Sequence, residues 1–91
     1  MYLPMALSPN PVKESLNRSF KMENAMDNLI LTHDIKGKLI YKEKTGLISN
    51  YNQSIPVGHL VSGAYMITLT NTKGSRTMEF VKLFPWLLNV V

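Results

Sequence analysis

The chain contains no cysteine. That excludes disulfides and thiolate metal sites, and it leaves the compartment unreadable from redox chemistry. No apolar run reaches the roughly 18 residues that a bilayer-spanning helix needs, so no membrane span is expected. The N-terminus lacks a basic stretch followed by an apolar core, so no secretory signal peptide is read in the chain. Expressed alone, it is expected to stay in the cytoplasm. Charge is scarce too: ten basic and six acidic residues leave a net charge of +4. The basic residues are scattered from Lys13 to Lys82 with no dense stripe, so no nucleic-acid partner is expected. No stretch shows the 3.6-residue period of an amphipathic helix.

Catalytic patterns are equally absent. There is no HExxH, CxxC, phosphate-binding loop or nucleophile elbow. His33 and His59 are the only histidines. His33 adjoins Asp34, but neighbours on a strand point to opposite faces and make no dyad. Asp34 has no second carboxylate nearby to share a calcium ion. It sits before a turn, where its side chain can accept backbone N–H bonds instead. The chain is therefore read as neither an enzyme nor a holder of a metal or cofactor.

The clearest positive pattern runs from Tyr65 to Thr70. Tyr65, Ile67 and Leu69 alternate with Met66, Thr68 and Thr70, the period of a half-buried strand. Gly63 precedes it, where a tight turn favours a residue without a Cβ. Asn71–Ser75 supplies turn residues, and Arg76–Lys82 returns with Met78 and Phe80 on one face. At 91 residues the chain has room for one small domain, and 45% apolar residues suffice for a core.

Taken in order, residues 1–6 read as a linker or remnant, residues 7–82 as the domain and residues 83–91 as an apolar tail. Pro9, Asn10 and Pro11 form a stiff extended lead-in. Leu16, Arg18 and Phe20 fall on one face of a first strand, and Arg18 is expected to reach the edge of the core. Residues 21–28 and 43–52 read as polar loops. Strands over residues 29–34, 39–42 and 53–57 fall between them, with a turn over residues 34–38. The pattern predicts an all-β antiparallel sandwich of about six to seven short strands. Its expected core is Leu16, Phe20, Ile30, Ile40, Ile55, Tyr65, Ile67, Leu69 and Phe80.

Four blocks carry a family resemblance. They are Leu7-Ser8-Pro9-Asn10-Pro11-Val12, Asp34-Ile35-Lys36-Gly37-Lys38-Leu39-Ile40, Leu60-Val61-Ser62-Gly63-Ala64-Tyr65 and Met78-Glu79-Phe80-Val81-Lys82. Together they resemble the C-terminal sorting domain of type IX secretion substrates in Bacteroidota. The resemblance implies an immunoglobulin-like β-sandwich that acts as a sorting signal. It implies recognition by the outer-membrane type IX translocon and removal by a sortase-like peptidase. The cargo would pass through the periplasm and end secreted or on the cell surface. Carried over residue by residue, the sorting motif is Pro9, Asn10, Pro11, Asp34, Gly37, Lys38, Leu60, Gly63, Tyr65, Phe80, Val81 and Lys82. No cofactor is implied, the cargo domain would lie upstream of this chain, and a monomer is expected.

The departures are specific. Arg18 and Thr32 stand where the family has apolar core residues, and Glu79 where a lysine is common. The family stops near the Lys82 position, whereas this chain continues through Trp86 to Val91. Such a tail is expected to cover the terminal strand and weaken the signal. A different reading is a freestanding immunoglobulin-like module that binds carbohydrate or a protein through exposed Tyr41, Tyr51 or Trp86.

Overall fold

The computed structural model describes residues 5–83. Five strands follow in chain order: β1 (Met5–Ser8), β2 (Ser15–Asp34), β3 (Leu39–Pro56), β4 (Gly63–Asn71) and β5 (Gly74–Lys82). Every pairing between them is antiparallel, and no helix occurs among the described residues. The strand order is β1-β2-β4-β5, with β3 also paired to β2.

β2 touches three partners because it bends. Its first half holds β1 on one side and the end of β3 on the other. Its second half, from Leu29 to Asp34, holds the start of β3 and residues Tyr65 to Thr70 of β4. Between the halves, Lys21 pairs with Asn50 and Met26 with Ile48, so Met22–Ala25 face Ser49 alone. Extra residues on one strand of an antiparallel pair kink it and increase its twist. The sheet curls at this bulge until both halves of β2 bury residues in one core. Leu16 and Phe20 from the first half and Ile30 from the second join Ile55, Tyr65, Ile67, Leu69 and Phe80 there. The result is an all-β curled sheet consistent with an immunoglobulin-like sandwich.

Two expected loops are strand. Residues 21–28 and 43–52 continue β2 and β3, so two long bent strands replace four short ones. At the bend side chains point largely to water, which removes the alternation that marks a strand, while the backbone ladder continues. Met5–Leu7 open β1, and Met5 is buried opposite Phe20. Ile40 is only half-buried against the core, while Met5, Val12, Tyr51 and Val57 are additional core members.

Arg18 does not reach the surface. It is 1% exposed, and its Nη1 donates to Glu43 Oε1 at 3.0 Å. Its guanidinium carbon lies 5.4 Å from the Tyr51 ring centre and 5.9 Å from that of Tyr41. Such placement over aromatic faces favours a cation. Arg18 Nε and Thr32 Oγ1 are buried without a hydrogen-bond partner among the described residues. Tyr51 stacks on Phe20 at 4.9 Å and donates to Glu43 Oε2 at 2.7 Å.

Burial, then the hydrogen bond to Glu43, push the Tyr51 phenol far above its usual range. A raised phenol pKa means that the folded state resists ionisation. Its contribution to stability is complete below the unfolded value of about 10 and is lost as pH rises beyond it. The unfolding free energy is therefore expected to fall above about pH 10, and to fall less steeply in Tyr51→Phe. Denaturant titrations across that range check this. Equal slopes in the two proteins would contradict it.

Candidate functional site

Three strand ends meet at one end of the sheet. β2 finishes at Asp34, β4 begins at Gly63 and β5 finishes at Lys82. The register sets Asp34 opposite Tyr65, Tyr65 opposite Phe80, and Gly63 opposite Lys82. Directly paired residues on neighbouring strands share a face. Tyr65 and Phe80 accordingly stack at 5.3 Å with 17° between their rings, both buried. On the outer side of β5, the Asn10 side chain bonds to the backbone of Glu79 and Val81. Residues from all four sequence blocks thus form one continuous row.

Local chemistry holds each member in place. The Asp34 N–H donates to Lys38 O at 2.9 Å, and Asp34 O accepts from Gly37 N–H at 3.0 Å. Asp34 Oδ1 accepts from the N–H groups of Lys36 and Lys38, both at 2.9 Å. Gly37 completes the turn at φ +89°, where a Cβ would be strained. Lys36, Gly37 and Lys38 are exposed on that turn.

Tyr65 ties the approach to β4. Its hydroxyl donates to Val61 O, which fixes the loop between Leu60 and Gly63. Burial, then the nearby Asp34 carboxylate, raise its pKa. Leu60 packs half-buried against the core, and its N–H donates to Val57 O at 3.0 Å. Gly63 takes φ +147°, a conformation that side chains rarely adopt, and so lets the loop enter the strand opposite Lys82. Lys82 is 2% exposed, with its Nζ donating to Leu83 O at 2.9 Å. Val81 is half-buried beside it.

Residues 6–83 match the family described as the secretion system C-terminal sorting domain. The chain belongs to that family. No curated protein matches it. The sorting domain thereby carries a type IX secretion signal, and the family is not catalytic. Such a signal works with the type IX secretion machinery, and its cargo passes to the outer membrane or the cell surface.

The remaining candidates fall elsewhere. His33 is half-buried on β2 opposite Leu39 and Met66, and His59 is exposed in the turn after Val57. Among the described residues no group of three or more His, Cys, Asp or Glu could hold a metal. No helix among them is long and apolar enough to cross a membrane. Of the aromatics proposed for a binding face, Tyr41 is 43% exposed but Tyr51 only 7%. Stacking on Phe20 and bonding to Glu43 turn Tyr51 inward, so it offers no platform. Trp86 and the tail beyond Leu83 lie outside the described residues. Two members of the row were not in the sequence-derived motif. Val12, fully buried, bonds to β5 after the Pro-Asn-Pro lead-in, and Glu79 accepts from Asn10. Val12 closes the first of the four blocks, as the apolar residue directly after that lead-in.

Proposed function

We propose that this chain is a non-catalytic signal module that directs an attached cargo protein across the outer membrane through the type IX system. The convergence of the four blocks into one row at one end of the sheet supports this reading. Asn10 and Val81 lie 71 positions apart in sequence, yet they are hydrogen-bonded. A signal that serves any cargo must be recognised as one surface of its own, and this row offers such a surface. The proposed motif is Pro9, Asn10, Pro11, Asp34, Gly37, Lys38, Leu60, Gly63, Tyr65, Phe80, Val81 and Lys82. Within it, Tyr65, Phe80 and Lys82 set the scaffold, and the exposed Pro9–Pro11 and Gly37–Lys38 segments are available to a partner. The outer-membrane translocon would engage this end. A sortase-like peptidase would then separate cargo from signal, leaving the cargo secreted or held at the surface.

Cargo independence tests the proposal. Two unrelated reporters, each with an N-terminal signal peptide, are expressed in a type IX-competent host with and without the full chain fused behind them. Both fusions are expected on the cell surface or in the medium, and both unfused reporters in the periplasm. Retention of both fusions in the periplasm would refute the proposal.

A further inference from the structure

The last stretch of the outer edge of β5, from Glu79 to Leu83, is closed by the chain's own lead-in. Edge strands present unpaired N–H and C=O groups that invite a further strand. On β5 the outward groups near the strand end are Glu79 O, Val81 N–H, Val81 O and Leu83 N–H, and each has a partner. Asn10 Nδ2 donates to Glu79 O at 3.0 Å, and Asn10 Oδ1 accepts from Val81 N–H at 3.0 Å. Val12 N–H donates to Val81 O at 2.8 Å, and Val12 O accepts from Leu83 N–H at 2.9 Å. The Asn10 carboxamide replaces one peptide unit of a neighbouring strand, and the Val12 backbone supplies the next, in parallel bridge to Lys82. Pro9 and Pro11 carry no N–H, so neither can donate to the β5 carbonyls. Val12 is fully buried and anchors the segment, while Pro9, Asn10, Pro11 and Glu79 stay exposed.

We propose that the secretion machinery reads β5 and Pro9–Val12 as one composite surface, docking through side chains, with Asn10 as the residue that positions the two parts. The proposal rests on the sorting reading above and adds the mode of recognition. A partner that extended the sheet at this edge would have to displace four hydrogen bonds and unseat Val12. A partner that docks on the closed edge displaces nothing.

The two modes predict opposite signs for Asn10→Ala. That variant frees Glu79 O and Val81 N–H. Sheet extension would then proceed as well or better, whereas the composite surface loses both of its positioning bonds. The measurement is the exported fraction of a reporter fused to the full chain in a type IX-competent host. Asn71→Ala, at the far end of β4, is the control, because it removes a side-chain amide bonded to Asn28 at 2.9 Å. Both variants are assayed at a temperature where thermal melts show them folded. Asn10→Ala is expected to cut export about fivefold, the factor that one lost hydrogen-bonded position is worth. It should also speed amide exchange at Val81. Asn71→Ala is expected to export within about twofold of the unsubstituted fusion, a smaller change than one hydrogen bond. Undiminished export of Asn10→Ala would overturn the composite surface. An equal fall in both variants would reduce Asn10 to a stability role and overturn it as well. If the unsubstituted fusion is not exported, the sorting reading itself has failed and this proposal falls with it.

Discussion

Phe80→Ala is expected to destabilise the sorting domain by about 3–5 kcal/mol. Phe80 is fully buried, faces Tyr65 across the strand pair and stacks on its ring. Truncation removes the transfer free energy of the ring and leaves a cavity that the paired strands cannot close without shifting register. Small domains are stable by about 5–15 kcal/mol in all, so the loss is a large share. Urea denaturation checks the value, with an unchanged slope as the sign that the unfolded state is comparable. A loss below about 1 kcal/mol would mean that Phe80 is not packed as described, since cavity-forming substitutions cost more.

Glu43→Leu is expected to cost about 3 kcal/mol, the lower end of the range for breaking a buried ion pair. Arg18 is 1% exposed but the Glu43 side chain is 24% exposed, so water can reach one side of the pair. Without the carboxylate, the guanidinium keeps its charge and loses its partner, and Tyr51 loses its acceptor. The double variant Arg18→Met, Glu43→Leu is expected to recover most of the loss, because apolar replacement of a buried pair is often neutral or stabilising. Equilibrium unfolding of the three proteins decides it. A double variant no more stable than Glu43→Leu would contradict the assignment of the loss to an unpaired buried cation.

What the sequence disclosed follows burial. Tyr65, Ile67 and Leu69 alternate because β4 buries one face along most of its length. The same alternation through Leu16, Phe20 and Ile30 marked both halves of β2 as strand. The join between those halves stayed hidden, because a bulge that points side chains to water carries no period. Tyr51 was unreadable for a related reason. It sits among Asn50, Asn52 and Gln53, and its burial depends on Phe20, which the register brings opposite. Arg18 looked too costly to bury because its compensating partners, Glu43, Tyr41 and Tyr51, lie on another strand. The four motif blocks were legible one by one from their turn residues and strand starts. Their meeting in a row was not. It depends on the register of β2, β4 and β5, and on an asparagine side chain that takes the place of a strand, which no local pattern records.

The most direct test of the sorting claim is the fraction of a signal-peptide-bearing reporter, fused to the full chain, found outside the outer membrane in two isogenic type IX hosts, one intact and one lacking the translocon. Most of the fusion is expected on the surface or in the medium of the intact host, and all of it in the periplasm of the other. Equal distributions in the two hosts would contradict a type IX sorting function for this chain.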